Sequence, residues 1–300
     1  MNKKYLGIFA MLISAIGLGI GVILTKLILE YTNIPAQHVP IWRFSIAAPA
    51  LALILAFRKQ PKRMVPNHPW WFLGLGSIFS VAGFSAVFAL QRLPSSIYVI
   101  ILYIYPSLIV LYALLKGSVV PRLFWLGLPL TLLGLVLISI EFGSDLAIDP
   151  MGFVITLVNA CAIAIYMIIS EKAFKAVEDQ LSATLGVMTG AMLIGLLLIP
   201  VLGISTPSTL RGWVLLVSFS IFGTLMPLLA MNIGLRLITA ARGSVIITVQ
   251  PVLNVLLAML LLKESLTLQQ WFGGALVIIA VVLLERSPDR VLQMNVDQAG

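Results

Sequence analysis

Charge is what this 300-residue chain has least of. Asp, Glu, Lys and Arg make up 10% of it, where a soluble domain carries roughly 25%. With 60% hydrophobic residues and a mean hydropathy of +1.09, that deficit excludes a water-soluble fold. Cysteine is nearly missing too. The single Cys161 lies inside an apolar run, so a disulfide framework and a thiolate metal site are excluded, and it reads as a small buried hydrophobe. Two histidines occur, His38 and His68, both between apolar runs. There is no HExxH helix, nucleophile elbow or carboxylate pair. Gly17 to Gly21 follows no strand and leads to no GK[ST], so it is not a phosphate loop. Enzyme chemistry finds no support, and neither a cofactor nor a metal is expected.

Ionisable residues are also missing from the middle of every apolar run. Lys26, Arg43, Arg92 and Glu141 lie within a turn or two of an end, where long side chains reach water. A proton-coupled carrier commonly uses a buried carboxylate or histidine. Passive transport, or coupling through substrate charge, is therefore the plainer expectation. Arg43 in IWRF (41–44) and Arg92 in LQRLP (90–94) would suit an anionic group, although interfacial anchoring is the simpler role.

What is present is membrane-spanning code. A bilayer core takes about 20 apolar residues per helix. Ten such segments can be read, near 5–28, 41–57, 70–91, 95–115, 122–140, 151–170, 181–202, 211–235, 240–262 and 268–285. The start, Met1-Asn2-Lys3-Lys4 before a long apolar run, resembles a signal peptide but lacks a small-residue cleavage site leading into a soluble domain. It reads as the first span. With the N-terminus in the cytoplasm, 14 of the 19 Lys and Arg residues fall inside and 5 outside, the positive-inside pattern. Both termini are then cytoplasmic in a multi-pass protein of the inner or plasma membrane. The net charge of +8 thus marks topology, and no nucleic-acid partner is expected.

The second half repeats the first about 145 residues later. Pro106 pairs with Pro251, Trp125 with Trp271, Arg92-Leu93 with Arg236-Leu237 and Gly7 with Gly152. Each half holds five spans. An odd number inverts the second half relative to the first, the layout of alternating-access carriers. The halves are 1–145 and 146–287, followed by a tail, 288–300, expected to be disordered.

Superimposing the halves selects polar positions on matching faces. Span 4 carries Ser95, Tyr98, Tyr105 and Tyr112 at spacings of 3, 7 and 7, one helical stripe. Tyr105 corresponds to Gln250 in span 9, with Asn254 one turn beyond. Ser14 in span 1 corresponds to Asn159 in span 6, which also carries Tyr166 and Ser170. Ser80, Phe84 and Phe88 in span 3 correspond to Thr224, Leu228 and Asn232 in span 8. Amides and tyrosines are costly against lipid, so they should face the bundle interior. The competing role is interhelical hydrogen bonding alone. The expected substrate-binding set offers aromatic faces from Phe84, Phe88, Tyr98, Tyr105 and Tyr166. Ser14, Ser80, Asn159, Thr224, Asn232, Gln250 and Asn254 add neutral hydrogen bonds. Such a lining suits small zwitterionic or uncharged solutes, amino acids above all. Pro106 and Pro251 should kink spans 4 and 9 and free a carbonyl near the midplane.

Three segments carry a more specific likeness. IWRFSIAAPA (41–50) opens span 2 with an arginine. LPSSIYVIILYIYPSLIVLYALLKG (93–117) and AARGSVIITVQPVLNVLLAMLLLKESL (240–266) each run from small residues through an apolar stretch and a proline to a polar turn. Together they resemble the EamA-type branch of the drug/metabolite transporter superfamily, over about residues 5–286. The likeness implies an all-α membrane fold of ten transmembrane helices in two inverted five-helix repeats. It further implies a small-molecule substrate, commonly exported, and a monomer in the lipid bilayer. The family's turn glutamate stands at Glu264, but Lys116-Gly117-Ser118 replaces it in the first half, and Met188 stands where a second Arg43 would be. Two other roles fit such a chain less well. A lipid-linked-sugar flippase needs a basic headgroup pocket, and a membrane receptor or scaffold normally carries a soluble domain.

Overall fold

The computed structural model describes residues 3–58, 70–118, 122–139, 149–262 and 267–285, and among these every regular element is a helix. In chain order they are α1 (Lys3–Tyr31), a 3-10 turn (Ala36–His38), α2 (Val39–Ala56), α3 (Trp70–Leu90), α4 (Ser95–Leu102), α5 (Tyr105–Leu115), α6 (Arg122–Ser139), α7 (Pro150–Lys175) and α8 (Gln180–Leu202). Then follow α9 (Leu210–Ser220), a π-helical segment (Ile221–Leu225), α10 (Met226–Leu237), α11 (Ala240–Ile247), α12 (Gln250–Leu262) and α13 (Leu268–Glu285). Seven helical stretches are long and apolar enough to cross a membrane, and the shorter Leu123–Ser139 and Leu268–Leu283 are apolar as well. Most of the 58–69 loop, Glu141, Asp145, Glu264 and the tail lie outside the described residues.

Large apolar side chains point outward, as a lipid-facing surface requires. Trp125 and Trp271, a pair in the repeat, are 61% and 52% exposed near the starts of α6 and α13, the position of interfacial aromatic anchors. Cys161 corrects an expectation: it is exposed on α7 rather than buried. A side chain that is apolar in water is equally content in lipid, so hydrophobicity alone does not choose its side.

The repeat seen in sequence is a set of crossed contacts in three dimensions. A methyl group on Gly7 of α1 would meet Leu237 Cβ at 2.9 Å, and one on Gly152 of α7 would meet Leu93 Cγ at 2.7 Å. So the first helix of each half packs on the end of the third helix of the other, α1 on α10 and α7 on α3. The pairs found by offset, Gly7/Gly152 and Leu93/Leu237, touch across the halves rather than within them. α6 packs on α13, and α3 on α8. The α3–α8 contact is close enough that Gly76 lies against the Val187 carbonyl and Gly190 against the Leu73 carbonyl. Small residues let helices approach this way where lipid supplies no hydrophobic drive.

The face where α1 begins, here the terminal face, also holds the end of α10 and the starts of α8 and α11. Asp179 caps α8, accepting from Ser182 N–H at 3.5 Å and its hydroxyl at 2.9 Å, and binds Arg58 at 2.9 Å. At the opposite face Asp149 caps α7 through Met151 N–H and pairs with Arg92 at 3.1 Å. At that face His38 also joins the start of α2 to the end of α8: its Nδ1 accepts from Ser205 N–H at 3.0 Å, which leaves Nε2 to donate to the Leu202 carbonyl at 2.9 Å.

Candidate functional site

Two helices are broken at the repeat-related prolines. Pro106 and Pro251 stand at the second positions of α5 and α12 and lack the N–H that would bond back four residues. The ladder gives way to three-residue bonds there, Ile104 N–H to the Ile101 carbonyl at 3.2 Å and Val249 N–H to the Ile246 carbonyl at 3.2 Å. The expected kinks are therefore real breaks, with α4 and α5 on either side of one and α11 and α12 on either side of the other. At the breaks the two helices touch: Tyr103 Oη donates to Gln250 Oε1 at 3.3 Å. On the terminal side α5 packs on α11, and Tyr105 Oη donates to the Ser244 carbonyl at 3.3 Å. On the other side no comparable packing of α4 on α12 is found among the described residues. α4 instead lies on α6 and α7, and α12 on α1.

Around these breaks lies a buried polar set. Asn159 of α7 donates to Tyr98 Oη of α4 at 2.8 Å. Tyr166 of α7 donates to Asn232 Oδ1 of α10 at 2.7 Å, and Asn232 Nδ2 donates to Thr184 Oγ1 of α8 at 3.2 Å. The Tyr166 ring also lies 4.9 Å from that of Phe79 on α3. Asn254 of α12 sits with Oδ1 against Gly19 of α1. Thr224 falls within the π-helical segment, where a turn with an extra residue loosens the ladder, a feature frequent at functional sites. That segment packs on α1.

Several buried polar atoms of this set have no hydrogen-bond partner: Ser14 Oγ, Ser80 Oγ, Asn159 Oδ1, Thr224 Oγ1 and Asn254 Oδ1. Buried polar groups in proteins are nearly always paired, by water or ligand if not by protein, so these are places to receive a solute or water. Ser14, Ser80, Phe84, Tyr98, Tyr105, Asn159, Tyr166, Thr224 and Asn232 are buried, whereas Phe88, Gln250 and Asn254 are half-buried. The hydrogen bonds do not follow the symmetry pairs: Gln250 bonds Tyr103, and Asn232 bonds Tyr166 and Thr184.

Two contributors escaped the sequence reading, and the structure adds to a third, Arg43. Tyr103 lies off the Tyr98–Tyr105 stripe of an unbroken helix, and the break turns it inward. Glu171, near the end of α7, is 7% exposed; it accepts the Ala240 N–H at the start of α11 and the Lys175 ammonium, both at 2.6 Å. Arg43, read in sequence as an anion contact or an interfacial anchor, lies among aromatic rings of both halves. Its guanidinium carbon lies 4.4 Å from the Phe44 ring centre, 5.5 Å from Phe79 and 6.0 Å from Phe219.

A sequence profile of the EamA-like transporter family matches residues 5–140 and again 150–286. The chain belongs to the EamA-like transporter family. Its two matches are the two halves of this transporter's repeat. An uncharacterized transporter of Synechocystis sp. is 28% identical over 239 residues, covering 75% of this chain and 69% of that protein. An uncharacterized transporter of Archaeoglobus fulgidus is 24% identical over 74% of this chain and 77% of its own. The uncharacterized inner membrane transporter YedA of Escherichia coli K12 is 23% identical over 78% and 76%. A solved crystal structure superposes with a TM-score of 0.77 at 18% identity, covering 95% of this chain and 98% of the other, a likeness of fold. This EamA-like chain is thus a multi-pass membrane transporter whose relatives include an inner-membrane protein.

Proposed function

We propose that this transporter exports small zwitterionic or neutral solutes, amino acids first among them, by alternating access. The ten crossings divide into halves at residues 1–145 and 146–287, inverted relative to each other, with both termini cytoplasmic. The distribution of 14 basic residues to 5 supports that orientation. One observation carries the mechanism. The two broken helices are packed together on the terminal side of their breaks and, among the described residues, show no such packing on the other, with unpartnered buried polar atoms on helices of both halves. Half-open around a central polar set is the form of a carrier at one end of its cycle, and rocking the halves would exchange the packed side. With the termini inside, the described state opens outward.

Neutral amides and hydroxyls hydrogen-bond an ammonium or amide, and Tyr98, Tyr166 and Phe84 offer apolar faces. Reconstitution tests the reading: proteoliposomes preloaded with L-amino acids should exchange radiolabelled solute with saturation. Gln250→Leu with Asn254→Leu should cut that exchange at least tenfold while membrane insertion persists. No flux of any solute, together with tight binding of a lipid, would sink the proposal.

A further inference from the structure

We infer that Arg43 is the anchor for a carboxylate of the transported solute, so that the substrate class is organic acids and amino acids rather than neutral solutes. The inference rests on the carrier reading above and adds the charge that reading lacked. Arg43 projects from α2 into a space bordered by both halves. Phe44 and Phe79 come from the first half and Phe219, on α9, from the second. Gly83 of α3 closes the next side; a methyl group there would stand 3.7 Å from a guanidinium nitrogen.

Among the described residues this cation has no counter-ion. Nε is buried without a hydrogen-bond partner, and among the described residues no carboxylate lies within ion-pair distance of it. Ring faces attract the charge but accept none of the guanidinium's N–H bonds in the plane of the fork, which is shaped to hold a carboxylate by two parallel bonds. An arginine kept in a membrane helix without a partner is costly unless it serves a function. A second polar atom points to the same neighbourhood. Asn159, which donates to Tyr98 of α4, is buried, and its Oδ1 is unpartnered. An acceptor such as this oxygen is suited to the ammonium of a solute whose carboxylate lies on Arg43. Phe79 links the two regions, since its ring touches both Arg43 and Tyr166.

The test compares acids with their amides, which differ at the one group in question. Purified full-length protein is titrated with L-phenylalanine, L-leucine, L-threonine and 3-phenylpropanoate and with the corresponding amides, and the same solutes are followed in proteoliposome exchange. Wild type should bind at least one acid tenfold or more tighter than its amide. Arg43→Gln should bring that acid down to the level of its amide, and Arg43→Lys should fall between. Equal binding of acid and amide by wild type overturns the inference without any variant, so a poorly folding Arg43→Gln does not shelter it. Binding of none of the acids overturns it as well, as does an Arg43→Gln protein that keeps the acid preference. Arg43-dependent acid binding without flux would instead remove the carrier reading and leave the anchor standing. Flux that ignores Arg43 would do the reverse.

Discussion

α5 and α11 are packed together, while among the described residues α4 and α12, their continuations beyond the breaks, do not pack on each other in the same way. α11 is the most polar of the four segments, with Arg242 and Ser244 buried in it. What surrounds them differs as well. At the terminal face Glu171 ties α7 to the first amide of α11, Tyr105 ties α5 to α11, and Arg58 meets an Asp179 side chain only 3% exposed. At the opposite face the matching ion pair, Arg92 with Asp149, is 51% and 34% exposed and ties α7 to the end of α3 rather than to a broken helix. The polar ties at the terminal face bear on a broken helix, α11, whereas those of Arg92 and His38 at the opposite face do not.

Removing those ties should undo the comparison in graded steps. Glu171→Ala should act most, because it strands the buried Ala240 N–H at a cost of about 1–3 kcal/mol. The expected outcome is a roughly tenfold or greater shift toward a state open at the terminal face, read as faster labelling of a cysteine reporter placed there. Unchanged labelling would mean that Glu171 does not hold the packed side.

Asp179→Ala comes next. Burial pushes the Asp179 carboxyl up, but bonds from Ser182 and Arg58 outweigh it and leave it below the ordinary carboxylate range. A carboxyl lowered in the fold stabilises above its unfolded value, about pH 4, and loses that contribution as pH falls through the folded value. Loss of the cap alone should cost about 1 kcal/mol. Thermal melting at pH 7 should therefore drop more for Asp179→Ala than for Asp149→Ala, whose carboxyl is lowered chiefly by the Arg92 hydrogen bond at an exposed site. The gap between the variants should narrow below pH 4, and equal drops at pH 7 would contradict the asymmetry. The smallest effect belongs to the tyrosines. Tyr103→Phe and Tyr105→Phe each remove one 3.3 Å bond, worth about 0.6 kcal/mol in a membrane bundle. A few-fold change in exchange rate is expected, larger for Tyr105, whose bond spans the packed side.

The helical architecture was legible because lipid demands long apolar runs, and the repeat because glycine and proline positions leave offsets that can be counted. The buried polar set was legible too, since amides and tyrosines seldom face lipid. Direction was not. Arg43 stands near a helix end, where sequence allows either snorkelling or turning inward, and only the rings on α3 and α9 decide between them. Tyr103 was hidden by the assumption of an unbroken span 4. The π-helical segment around Thr224 carries no composition of its own, so nothing in IFGTL announces the extra residue in the turn. Glu171 looked like one more charge at a helix end, and its partner Ala240 is far away in sequence.

The crossed glycine contacts bear on how the molecule is made. Gly7 rests on Leu237 and Gly152 on Leu93, so α1 waits, unmatched, until α10 in the second half has been made. Neither half is a finished object by itself. Two separate genes, one per half, would have to meet in the membrane before either product settled, which is also how an ancestral dimer of a single five-helix protein would have had to work.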